Sequence, residues 1–142
     1  MENKEFVVAE DVATKDFEDW CEANGIEYDT DSMTEEEIAD FNSHKKPIIK
    51  ACMNGNLAFN NGEIDYTISK YSDTGFAGTV LHVGKPTGKI WSSLDGFKET
   101  QPIKKMVSVM SALTGKDLGY FDKLAAVDWK VLQGIVVFFL TI

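Results

Sequence analysis

The chain has 142 residues, of which 44% are hydrophobic and 11% aromatic, enough to build a core without staples and far from the compositions of disordered chains. Its net charge of −9 is uneven: residues 1–44 carry 15 acids and 2 lysines, whereas residues 45–142 carry 8 acids and 12 lysines. Every cation is lysine, so the planar fork with which arginine grips phosphates and guanine edges is missing, and an acidic face repels a phosphate backbone; both weigh against a nucleic-acid partner.

Taken in chain order, residues 5–9 read as a short edge strand. Thr14 then looks like an N-cap for a helix with Phe17, Trp20, Cys21 and Asn24 on one face and Gly25 as its stop. Residues 26–28 read as a brief extended segment. Thr34 and Glu37 form a capping box, with Met33 and Ile38 placed for a hydrophobic staple, and Ile38 and Phe41 carry that helix to about Asn42. Pro47 opens a further helix through Ile48, Ile49, Ala51 and Cys52, stopped by Asn54-Gly55; the rival reading makes residues 48–53 a strand and Asn54-Gly55 a hairpin turn.

Leu57 and Phe59, the turn Asn60-Asn61-Gly62, and Ile64, Tyr66 and Ile68 alternate as a β-hairpin, and residues 79–83 make a third strand. Thr87 is placed to cap a helix carrying Ile90, Trp91, Leu94 and Phe97. Pro102 opens another with Ile103, Met106, Val107, Met110 and Leu113 as its stripe and Gly115 as its end. The last helix starts near Ala126, with Asp128 in a first turn whose dipole favours a carboxylate and Trp129, Leu132, Ile135, Val136 and Phe139 facing inward. The sum is an α+β fold: a hairpin or three-stranded antiparallel sheet packed with several helices and a helical C-terminus. It forms one domain over 1–142, with an acidic helical part over 1–45 and an α+β body over 46–142.

Residues with chemical potential do not assemble into a catalytic or metal site. The GKPTGK stretch at 84–89 has three residues between its glycines and Ile90 after its last lysine, so it lacks the spacing and the hydroxyl of a phosphate loop. DTDS at 29–32 opens like a calcium loop but has Thr34 where the glycine is needed and Asp40 at the twelfth position. His44 and His82 stand in no spacing that gathers zinc with Cys21 or Cys52, which read as reduced, packed thiols. The expectation is a non-enzymatic protein without metal or cofactor. The charged opening and the lack of a run of about 20 apolar residues point to a cytoplasmic chain outside the membrane.

The acidic front reads either as solvated surface or as a face that steers a basic partner. The C-terminal helix carries Val131, Phe138 and Ile142 on faces that an amphipathic surface helix would leave polar, so it is either sandwiched on all sides or presents a docking surface for a second copy or a client. Gly134, in mid-helix, allows another backbone to come close.

From about Asp65 to Ile142 the chain resembles the tail assembly chaperones of long-tailed bacteriophages and prophages. The likeness lies in the strand DYTI, the strand leading to a proline in TVLHVGKPT, the amphipathic helix reaching MSALTGK, and the close FDKLAAVDWKVLQGIVVFFL, with Leu124, Asp128 and residues 138–140 in the family's ending pattern. The chain departs from the family's pattern at the strand exit, where the Arg-rich stretch is missing and His82 and Lys85 stand in its neighbourhood. The resemblance implies a small cytoplasmic α+β protein, absent from the mature virion, that holds the tape measure protein soluble until tail tube proteins polymerise around it, without cofactor or chemistry. On that reading Val131, Phe138 and Ile142 contribute to the client or self-association surface. Two other classes compete: an acidic inhibitor or immunity-type protein that occupies a basic groove, and a structural tail component.

Overall fold

In the computed structural model, residues 6–93 and 102–140 are described, and of Lys89, Trp91, Ser93 and Pro102 the backbone alone. Among them run five α-helices, α1 (Glu10–Ala23), α2 (Glu35–Met53), α3 (Gly88–Ser93), α4 (Pro102–Thr114) and α5 (Ala126–Leu140), and three strands, β1 (Leu57–Asn60), β2 (Glu63–Thr67) and β3 (Val80–Val83). The strands form one antiparallel sheet in the order β1-β2-β3, so the class is α+β as the patterning implies.

Helix α1 starts a turn earlier than the Thr14 cap predicts, with Ala9 at the N-cap and Glu10 and Asp11 in the first turn, where the dipole favours carboxylates. It ends where Gly25 predicts, in a Schellman pair: Gly25 N–H donates to Glu22 C=O, and Ile26 N–H to Cys21 C=O at 2.8 Å. Residues 6–9 form no strand; Val7 and Val8 N–H both donate to Met53 C=O. The capping box of Thr34 and Glu37 forms in both directions.

Helix α2 corrects the sequence reading at one point. It does not stop near Asn42 for Pro47 to start a new helix; it runs through Pro47 to Met53 and crosses the boundary set at residue 45. A proline inside a helix removes one hydrogen bond and crowds the carbonyl four residues back. Burial on both sides of it compensates, with Phe41, Ile48, Ile49, Ala51 and Cys52 all in the core.

The hairpin follows the sequence closely. Asn60 and Glu63 pair across a two-residue loop whose Asn61 and Gly62 have φ of 52° and 82°, the left-handed pair that matches the twist of the flanking strands. Leu57, Ile64, Tyr66, Leu81 and Val83 turn to the core, while Glu63, Asp65 and His82 line the outer face.

Helix α5 packs against α2 and α4 and is buried nearly all round, with Val131, Leu132, Ile135, Val136, Phe138 and Phe139 each at most 3% exposed. Its end enters an aromatic cluster: Phe138 lies 5.4 Å from Phe17 and 5.3 Å from Phe41 between ring centroids, and Phe139 lies 5.2 Å from Trp20. Offset and edge-on rings at such distances add to the apolar burial. Cys21 and Cys52 are free and buried, and burial pushes the Cys21 thiol up to about 12, which leaves it packing material with little thiolate. Leu94, Phe97 and Ile142 lie outside the described residues, as does the Trp91 side chain.

Candidate functional site

An open groove of about 1030 Å³ lies where α2, α5 and the connection from β2 to β3 meet. Helix α2 supplies Lys46, Pro47, Lys50 and Ala51 from consecutive turns of one face; α5 supplies Val127, Lys130 and Val131; residues 68–71 and 77–78 form the third side. Ala51, Ile68 and Val131 are buried and make an apolar floor, whereas Tyr71, at 70%, and Val127, at 44%, stand exposed on the walls.

What fixes the third wall is Asp128. Its carboxylate is 0% exposed, two positions after Ala126 opens α5, and accepts four hydrogen bonds. Oδ1 receives Tyr66 Oη–H and, at 3.0 Å, Ser69 N–H; Oδ2 receives Ser69 Oγ–H at 2.9 Å and Ser72 Oγ–H. Ser72 Oγ in turn accepts Ala125 N–H at 2.7 Å. A buried carboxylate is tolerable only when so fully solvated by donors, and the N-terminal turn of α5 adds its dipole. Burial first, and then the bond to Asp128, pushes the Tyr66 phenol well above its ordinary value, so Tyr66 stays a donor. Because Ser69 and Ser72 bracket Lys70 and Tyr71, the knot clamps those two groove residues to α5.

Among the described residues no carboxylate lines the groove, and Lys46, Lys50, Lys70 and Lys130 are all exposed and in no ion pair. Lys70 Nζ lies 5.3 Å from the Tyr71 ring centroid, a contact that holds the cation beside the aromatic wall. In a chain of net charge −9 this is a local reversal of sign.

The residues expected to form a docking surface fare differently. Val131 and Phe138 are each 3% exposed and serve the core, although α5 leaves Val127 and Lys130 exposed; Val131 reaches the groove only as part of its floor, and Phe138 is central to the aromatic cluster. Of the two readings of this helix, sandwiched or docking surface, the burial of both side chains favours the first. Ile142 lies outside the described residues. The exposed carriers of the groove, Tyr71, Val127 and the lysines, were not singled out from the sequence, and neither was the Asp128 knot, whose partners sit 56 to 62 positions away. The nearest signal was Asp128 in a helix first turn.

On the outer face of the sheet His82 sits opposite Asp65, with Nδ1 at 2.7 Å from Asp65 Oδ1 and Nε2 at 3.5 Å from Glu63 Oε1. The bond to Asp65 raises the imidazole above its ordinary value, and Glu63 adds to it. A base whose folded value is raised contributes stability that is complete below the unfolded value of ~6.5 and is lost as pH rises through the folded one. The expected result is an NMR titration midpoint for His82 above ~6.5 that moves down in Asp65→Asn. A midpoint at or below that value in the parent chain contradicts the pairing. No group of three or more His, Cys, Asp or Glu placed to hold a metal occurs among the described residues, and none of their helices is long and apolar enough to cross a membrane.

The site thus defines a class, an α+β protein with an open apolar groove ringed by cations. Comparison with protein-family models, with curated proteins and with solved structures yields no match to this chain.

Proposed function

We propose that this chain is a non-enzymatic protein-binding protein, a tail assembly chaperone that keeps a phage tape measure protein soluble, and that its client seat is the groove between α2, α5 and the loop of residues 68–71. One observation carries the reading: an open concavity of about 1030 Å³ with an apolar floor and two exposed apolar side chains, Tyr71 and Val127, on its walls. A holdase needs apolar surface that its own fold leaves uncovered, together with charge around it to keep the pair dispersed. The resemblance of residues 65–142 to the chaperone family supplies the identity of the client. The groove puts Tyr71 and Val127 in the place of Phe138 as the proposed contact residues and keeps Val131 as floor.

Co-expression with a phage tape measure protein tests this. The expected outcome is a soluble client that co-purifies, with recovery lost in the double variant Tyr71→Ser, Val127→Ser. No co-purification and no gain in client solubility would overturn the proposal. The acidic-inhibitor reading draws on the exposed carboxylates of α1 and the first turns of α2, including Glu10, Asp11, Asp19 and Glu35 to Glu37. A complex made through that face weakens steeply with salt and survives the groove variants. Recovery of the chain from finished particles favours the structural-component reading instead.

A further inference from the structure

We infer that the groove is selective for acidic amphipathic segments: its occupant is a stretch of partner polypeptide whose carboxylates pair with Lys46, Lys50, Lys70 and Lys130 while its apolar side chains rest on Tyr71, Val127 and the floor. This rests on the proposed client-binding reading and names the chemistry of the segment the groove takes.

Charge complementarity carries the inference. Lys46 and Lys50 are four apart on α2, an arrangement of like charges that weakens a helix, and Lys70 and Lys130 add two more cations to the same rim. With 23 acids against 14 lysines, the chain has material to neutralise them, and α1 does pair Lys15 with Asp19 at the same spacing. At the groove it does not: among the described residues the four lysines are exposed and in no ion pair, and no carboxylate lines the wall. The one acid beneath it, Asp128, is fully engaged by Tyr66, Ser69 and Ser72. An uncompensated cationic rim around an apolar floor is complementary to a ligand with both characters.

The same features select polypeptide over polyanion. A nucleic acid would leave Val127 and the floor without a partner and would meet the −13 front formed by 15 acids and 2 lysines in residues 1–44. A short acidic stretch interrupted by apolar residues touches only the groove, and any acid of the front more than about 8 Å from it is largely screened at physiological salt.

The test uses the whole chain and three fluorescein-labelled probe peptides of equal length: leucine and phenylalanine at helical spacing with glutamates between them, the same peptide with lysine for glutamate, and the same with serine for glutamate. Anisotropy should show the glutamate peptide binding at least about tenfold tighter than the other two, and Lys50→Glu, Lys130→Glu should reverse the preference. Lys104→Glu, Lys123→Glu, at two exposed positions outside the groove, makes the same change in net charge and should leave the preference unchanged. Equal binding of the serine and glutamate peptides overturns the inference and leaves the chaperone reading standing. Binding of the glutamate peptide without any rescue of the tape measure protein supports the inference and sinks that reading. Should an oligonucleotide displace the glutamate peptide at equal concentration, the selectivity claimed here is wrong. Circular dichroism of the double groove variant separates lost selectivity from lost fold; if it is unfolded, Lys50→Gln and Lys130→Gln singly must each lower affinity for the glutamate peptide.

Discussion

Asp128→Ala lowers the thermal midpoint by ~12 °C or more. The substitution strips the acceptor from Tyr66 Oη–H, Ser69 N–H, Ser69 Oγ–H and Ser72 Oγ–H at once, at a position 0% exposed to water. Each donor left buried without a partner costs about 1 to 3 kcal/mol, although hydroxyl rotation recovers part, so ~3 kcal/mol is a conservative total. For a chain of this size ~4 °C of midpoint corresponds to each kcal/mol. Asp128→Asn retains one carbonyl oxygen and meets the serine hydroxyls as donors, so it falls between Asp128→Ala and the parent. Tyr66→Phe removes one donor from a carboxylate that keeps three, and costs about 1 to 2 kcal/mol. The groove should respond with the fold: amide shifts or loss of signal at Lys70 and Tyr71, which the knot clamps, should accompany Asp128→Asn even where it stays folded. A midpoint for Asp128→Ala within ~2 °C of the parent would show that the carboxylate is a passenger in the core.

Elements whose signals are local were legible in the sequence. The capping box at Thr34 and Glu37, the hairpin turn at Asn61-Gly62, the Gly25 stop and the start of α5 near Ala126 depend on residues within a few positions of one another, and all form as read. Where tertiary packing outvotes a local rule, the reading failed. Pro47 and the thin stripe around Asn42 signal a break, yet the helix continues because Phe41 on one side and Ile48, Ile49 and Cys52 on the other are buried together. The apolar excess of α5 could mean enclosure or a docking face, and periodicity cannot separate the two, since the difference lies in whether Phe17, Trp20 and Phe41 arrive to cover Phe138. The groove was invisible for the same reason: Lys50, Lys70 and Lys130 are scattered along the chain, and only the α2–α5 packing brings them to one rim. Asp128 read as a dipole-favoured carboxylate because its three partner residues come from β2 and the loop after it.

Gly134→Ala should destabilise the chain although alanine is the better helix former. A Cβ built at Gly134 lies 2.6 Å from the His44 carbonyl oxygen and 3.3 Å from Ile48 Cδ1. The isoleucine methyl can give way, but the carbonyl belongs to the backbone of α2, so the two helices must part. Overpacking costs roughly 1 to 3 kcal/mol, and because the obstacle is backbone the upper end applies; less the ~1 kcal/mol gained in helix propensity, the net loss should be about 2 kcal/mol, or ~8 °C. Gly134→Leu, with no room for the added branches, should leave the chain mostly insoluble. Gly75→Ala supplies the control, because nothing lies within 4 Å of its Cβ and the midpoint should hold to within ~2 °C. The helices that part are the two that carry Lys46, Lys50, Lys130 and Val131, so the groove must widen with them. A folded Gly134→Ala chain should therefore bind the glutamate probe more weakly than the parent does. A Gly134→Ala chain as stable as the parent would mean that α2 and α5 do not approach so closely, and the floor of the groove would then lie deeper than these contacts place it.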